Sequence, residues 1–153
     1  MATVPHAGRL DARTVLLADD DEDFRAALAE TLDENGYDVV VVPNGAAALA
    51  ALEDAAKGRA RPPDLLVLDL LMPGVSGIEV LQKLRKSARW ARLPVLVVTG
   101  VNDPMLPVRL DVPIAFKPGV ESVLAAVRQQ LATAPEPGPA QSLGAPPRRR
   151  KPE

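Results

Sequence analysis

The sequence predicts an α/β fold built on a parallel sheet, and three observations carry that prediction. Short continuous runs of Val, Leu and Ile recur through residues 13–132, as in strands covered on both faces. Longer segments with apolar residues at helical spacing separate them, which is the alternation of a βα repeat. The chain has 153 residues, 47% of them hydrophobic, with a formal net charge of −2, a size and balance that suit one globular domain.

The elements follow in order. TVLLA at 14–18 is the first strand, and residues 23–35 form the first helix, with Phe24, Ala27, Leu28 and Leu32 on one face and Gly36 where a helix C-terminus needs glycine. DVVVV at 38–42 is the second strand. Asn44 is an N-cap for a helix over 46–57, with Leu49 and Leu52 inward and Gly58 as its stop. LLVLD at 65–69 is the third strand, and Ser76-Gly77 opens a helix carrying Ile78, Val80, Leu81 and Leu84. VLVVT at 95–99 is the fourth strand. The segment after it contains Pro104 and Pro107, which leave room for only a short or irregular fourth helix. VPIAF at 112–116 is the fifth strand, and Pro113, lacking an N–H, assigns it to a sheet edge. Residues 120–131 close the domain with Val123, Leu124 and Val127.

Composition removes several function classes. There is no Cys and a single His, His6, in a polar lead of residues 1–12; disulfide scaffolds, thiol-based zinc or redox sites and histidine-dependent triads have no groups to work with. No apolar run approaches the ~20 residues of a membrane-spanning helix, and residues 1–13 lack the apolar centre of a secretory signal, so a cytoplasmic protein is expected. Residues up to 132 carry 14 basic and 18 acidic side chains, whereas 133–153 carry four basic and two acidic. That last segment is dense in Pro and nearly empty of large apolar side chains, and is expected to be a disordered tail. Its basic end, Arg148 to Lys151, is read as solubilising; one short cluster without interleaved aromatics does not predict nucleic-acid binding. Trp90 and Tyr37 are read as packing or surface residues.

In a parallel α/β sheet the C-terminal strand ends meet at one edge, where ligands bind. The residues there are Asp19, Asp20 and Asp21 after the first strand, Asp69 at the end of the third, Thr99 at the end of the fourth and Lys117-Pro118 after the fifth. Clustered carboxylates repel, and a hard divalent cation, Mg²⁺ or Mn²⁺, relieves that repulsion with oxygen ligands alone. Asp21 and Asp23 also suit a helix start, where carboxylates meet the positive end of the dipole.

These residues resemble the receiver domain of bacterial two-component response regulators. The resemblance spans residues 13–132 and rests on VLLADDDEDFRAAL, PNGAAAL, DLLVLDLLMPGVSGIEVLQKLR, LPVLVVTG and FKP, in that order. It implies a flavodoxin-like doubly wound sheet of five parallel strands in the order 2-1-3-4-5. It further implies that Asp69 accepts a phosphoryl group from a histidine kinase or histidine phosphotransfer protein. Asp19, Asp20, Asp69 and the backbone carbonyl of Leu71 would hold Mg²⁺ or Mn²⁺, with Asp19 acting mainly through a coordinated water. Thr99 and Lys117 would contact phosphoryl oxygens, Lys117 set by a cis bond to Pro118. Met72-Pro73 and Gly77 would shape the loop after the acceptor, Gly77 where the chain turns tightly. The chain would be a stand-alone signalling switch without an output domain, binding an unidentified downstream protein and no membrane, rather than a metabolic enzyme.

The sequence departs from the family where an aromatic switch residue stands on the fifth strand: the position holds Ile114, and Gly119 follows Lys117-Pro118 where Phe is common. Readout is therefore expected through residues 74–76 and 100–103 or through the first helix. Leu71 and Val101, two residues past Asp69 and Thr99, are apolar where family members orient water with polar side chains, so a long-lived phosphoryl group is expected. The alternative is a phosphorylation-independent interaction module on the same fold. A phosphatase with an Asp nucleophile ranks last, because Leu71 stands where its second Asp is required.

Overall fold

A computed structural model describes residues 12–100, 112–117 and 119–133. Five parallel strands, β1 (Thr14–Ala18), β2 (Asp38–Val42), β3 (Leu65–Asp69), β4 (Val95–Gly100) and β5 (Ile114–Lys117), form one sheet in the order β2-β1-β3-β4-β5. Four helices are described, α1 (Glu22–Glu34), α2 (Gly45–Ala56), α3 (Gly77–Lys86) and α4 (Val120–Thr133). The fourth-helix segment with Pro104 and Pro107, Pro118, Val101, His6 and the tail from 134 lie outside the described residues.

The period of two along each strand splits the core in two. Val15, Leu17, Leu65, Val67, Leu96 and Val98 face α1 and α4, whereas Leu16, Ala18, Leu66, Leu68, Val95 and Val97 face α2 and α3. Helices thus cover both faces, and the winding reverses between β1 and β3, which are neighbours although β2 lies between them in sequence.

The helix ends follow from local chemistry. The Asp21 carboxylate accepts from the Phe24 N–H at 3.2 Å and Asn44 Oδ1 from the Ala47 N–H at 2.7 Å. Ser76 and Glu79 form a reciprocal capping box at α3. At the other end, Gly36 (φ 92°) and Gly58 (φ 79°) take left-handed conformations after α1 and α2. The following N–H groups then close onto the helices, Tyr37 to the Leu32 carbonyl at 3.2 Å and Arg59 to the Asp54 carbonyl at 2.9 Å.

Some expectations are corrected. On α1 Ala27 is exposed and Ala29 takes its place in the core, because α1 is rotated to lay Phe24, Leu28 and Leu32 on the sheet. The second run is not covered on both faces: β2 is an edge strand, with Val40 47% and Val41 37% exposed. Leu49 is only half-buried. The fifth strand runs over 114–117 rather than 112–116 and so includes Lys117; it is the opposite edge strand, with Pro113 just before it.

Candidate functional site

The sheet register places the polar residues. Ala18 pairs with Leu68 across β1 and β3, so the residues that follow, Asp19 just past β1 and Asp69 at the end of β3, stand side by side. Asp69 pairs with Val98, one residue before Thr99, and Gly100 pairs with Lys117. Asp19, Asp69 and Thr99 are 1%, 4% and 1% exposed, whereas Asp20 is open to solvent.

Lys117 joins the two buried carboxylates. Its Nζ donates to Asp19 Oδ1 at 3.0 Å and to Asp69 Oδ2 at 3.3 Å, and Asp19 Oδ2 is also 3.0 Å away. Backbone donors add to these contacts: the Asp21 N–H reaches the same Asp19 Oδ1 at 2.9 Å, and the Leu71 N–H reaches the other Asp69 oxygen, Oδ1, at 3.2 Å. Burial first, and the Asp19 charge second, push the Asp69 carboxyl from 3.8 up to about 7, against the pull of Lys117 and the Leu71 N–H. Burial also works against the charged form of Lys117, but its hydrogen bond to Asp19 and the charges of Asp69 and Asp19 outweigh it and raise the ammonium pKa.

The residues fit a hard divalent cation. One carboxylate oxygen from each of Asp19, Asp20 and Asp69 lies within 4.8 Å of the others. Among the described residues Asp19 Oδ2 is buried with no hydrogen-bond donor, its charged neighbour being the Lys117 ammonium 3.0 Å away, and it retains capacity to coordinate a cation. The set is all oxygen, the chemistry that suits Mg²⁺ or Mn²⁺.

Two supports were not visible in the sequence. Arg25, on α1, donates from Nη1 to the Asp19 backbone carbonyl at 2.8 Å and anchors the acidic turn. Phe24, expected only as core, also lies under Lys117, with its ring centroid 5.0 Å from Nζ. Gly77 has a different role from the expected tight turn, since its φ is not positive. A Cβ there would collide with the Asp69 carbonyl oxygen and lie 2.7 Å from Leu70 Cα, so glycine lets α3 seat directly on the end of β3. Gly45 does the same for α2, where a Cβ would collide with the Val75 carbonyl oxygen. Gly74, in the loop between β3 and α3, has φ 78°. Leu71 is 46% exposed beside Asp69.

Comparison with known proteins gives concordant results. The response regulator receiver domain model matches residues 15–114. The transcriptional regulatory protein YrkP of Bacillus subtilis is 39% identical over 89 residues, 58% of this chain and 34% of that protein. The receiver domain of Francisella response regulator 1452 superposes with a TM-score of 0.64 at 25% identity, covering 78% of this chain and 97% of that one. The Mn²⁺-bound response regulator Rcp1 gives a TM-score of 0.54 at 26% identity, covering 60% of this chain and 68% of that one. The chain spans a tenth to about two fifths of the length of the curated relatives it matches. Among the described residues, no helix is long and apolar enough to cross a membrane.

Proposed function

The chain belongs to the response regulator receiver domain family, and we propose that Asp69 is its phosphoacceptor, taking a phosphoryl group from a histidine kinase or a histidine phosphotransfer protein in the cytoplasm. The observation that carries this reading is the buried Asp19–Lys117–Asp69 cluster, with an ammonium 3.0 and 3.3 Å from two carboxylates at the C-terminal edge of the sheet. A structural ion pair needs one carboxylate; a second one, pushed up to about 7, is a reactive arrangement.

The chemistry assigns a role to each group. A carboxylate attacks a phosphoryl group against charge repulsion, so cationic groups must lie where oxygens gather negative charge. The Asp69 oxygen forms a bond to phosphorus as the donor's P–N bond breaks, and the bonding pair leaves with the donor imidazole, which takes up a proton. Lys117, already beside Asp69, moves its ammonium to a phosphoryl oxygen once Asp69 becomes an acyl phosphate. The Thr99 hydroxyl, at the end of β4, donates to another. Asp19, Asp20, Asp69 and the Leu71 carbonyl would hold Mg²⁺ or Mn²⁺, which would supply charge neutralisation at the transferring oxygens; Rcp1 has been solved with Mn²⁺. The domain is a signalling module whose phosphorylation changes binding of a downstream protein.

The test is incubation with Mg²⁺ and acetyl phosphate, followed by intact mass. An adduct of about 80 Da, the mass of the transferred group, that requires Mg²⁺ and is absent in Asp69→Asn is expected. A folded protein without any adduct would overturn the acceptor reading in favour of a phosphorylation-independent docking module.

A further inference from the structure

Lys117 sits near the end of a short edge strand, with β4 as its one strand neighbour, and four side-chain torsions separate its ammonium from that strand. Two of its partners, Asp19 and Asp69, are the groups whose charge is redistributed when a phosphoryl group arrives. A third contact does not change charge: the Phe24 ring, whose centroid is 5.0 Å from Nζ, within the range of a cation–π attraction. The ring is held from two sides. Its backbone N–H is capped by Asp21 at 3.2 Å, and its side chain is 7% exposed in the cluster shared by α1, α4 and the sheet.

We propose that Phe24 is a positioning residue for phosphoryl transfer, holding the Lys117 ammonium over the acceptor while that ammonium exchanges the Asp69 carboxylate for a phosphoryl oxygen. The inference rests on the acceptor reading of Asp69. In the step tested, the Asp69 oxygen bonds to phosphorus as the P–O bond of acetyl phosphate breaks and acetate departs with the electron pair. The ring attracts the cation through the negative charge of its face, and an aliphatic side chain of similar bulk fills the core without that attraction. Phe24 thereby also couples the start of α1 to the occupancy of the site.

The experiment replaces Phe24 in the full chain by mono-, di- and trifluorophenylalanine, which weaken the negative ring face stepwise while keeping the ring, and adds Phe24→Leu. The rate of adduct formation from acetyl phosphate with Mg²⁺ is read beside the unfolding temperature. The expected result is a stepwise fall in the logarithm of the rate across the fluorinated series. It reaches about tenfold at the trifluoro ring, the scale of a partly desolvated cation–π contact, while the unfolding temperature stays level. A flat rate across the series in a protein whose Phe form is phosphorylated overturns the positioning role alone. Failure of the Phe form itself to take up a phosphoryl group overturns the acceptor reading, and the positioning role with it.

Discussion

Replacing Gly77 by Ala tests whether the acceptor strand and α3 are locked together by backbone contact. The added Cβ would collide with the Asp69 carbonyl oxygen and lie 2.7 Å from Leu70 Cα and 2.9 Å from the Asp69 carbonyl carbon. All three are main-chain atoms of a buried strand or the residue after it, with no torsion by which to swing aside. Overpacking of this kind costs about 1–3 kcal/mol. The lower unfolded-state entropy of Ala returns about 0.4–1 kcal/mol, leaving a net loss of about 1.3 kcal/mol and an unfolding temperature roughly 5 °C lower. Since the displaced atoms belong to Asp69 itself, the phosphorylation rate per folded molecule should fall too. Gly58→Ala is the control: among the described residues nothing lies within 4 Å of a Cβ added there, and its φ of +79° opposes the change at about 1–2 kcal/mol. That variant should lose stability and keep its phosphorylation rate. Urea titration gives the first quantity and intact mass against time the second. A Gly77→Ala protein as stable as the parent, or equally reactive, would refute the close-contact argument.

Further predictions concern the cluster itself. Because the Asp69 carboxyl is raised from 3.8 to about 7, the folded state binds its proton more tightly than the unfolded chain does; this contribution is complete below about pH 4 and is lost as pH rises through about 7. In the absence of divalent cations, Asp69→Asn should therefore stabilise the protein at pH 7.5 relative to the parent more than at pH 4, as read by denaturant midpoints. Millimolar Mg²⁺ should raise the unfolding temperature by binding the folded state alone, and Asp20→Asn should shrink that increment, since Asp20 is the exposed oxygen donor of the set. Leu71 stands exposed beside the acceptor and its N–H bonds Asp69 Oδ1, so Leu71→Asn, by orienting water towards the phosphoryl group, should shorten its half-life several-fold; an unchanged half-life in a chase without acetyl phosphate would refute the shielding role.

Much of the fold was legible in the sequence because its signals are local. The runs at 14–18, 38–42 and 65–69 are strands with those bounds, and Asn44, Ser76, Gly36 and Gly58 mark helix ends through chemistry that acts within a few residues. What failed depends on distant partners. Ala27 and Ala29 are equivalent in hydropathy, and only the seating of α1 on the sheet decides between them. Val40 and Val41 belong to a strong strand former in the middle of a sheet or at its rim; the strand order exposes them. At the site, residue types at strand ends nominated Asp19, Asp20, Asp69, Thr99 and Lys117. That Lys117 would bond Asp19, 98 residues away, and rest over Phe24 was not written in any local pattern. Gly77 is demanded by space rather than by torsion, a distinction that the presence of a glycine in a sequence does not carry.

The adjacency of β1 and β3 has a consequence for how such a site tolerates change. The separation of Asp19 from Asp69 is set by one interstrand step, about 4.8 Å of hydrogen-bonded backbone, because each residue directly follows or ends a registered pair. Side chains of the two cores set how firmly that ruler is held, not its length. Core residues can therefore drift among apolar types of similar volume without recalibrating the carboxylates, whereas a slip in the pairing of β1 with β3 would move one carboxylate past the other. The spacing of the two carboxylates and the packing of the core are in this way open to being altered one at a time.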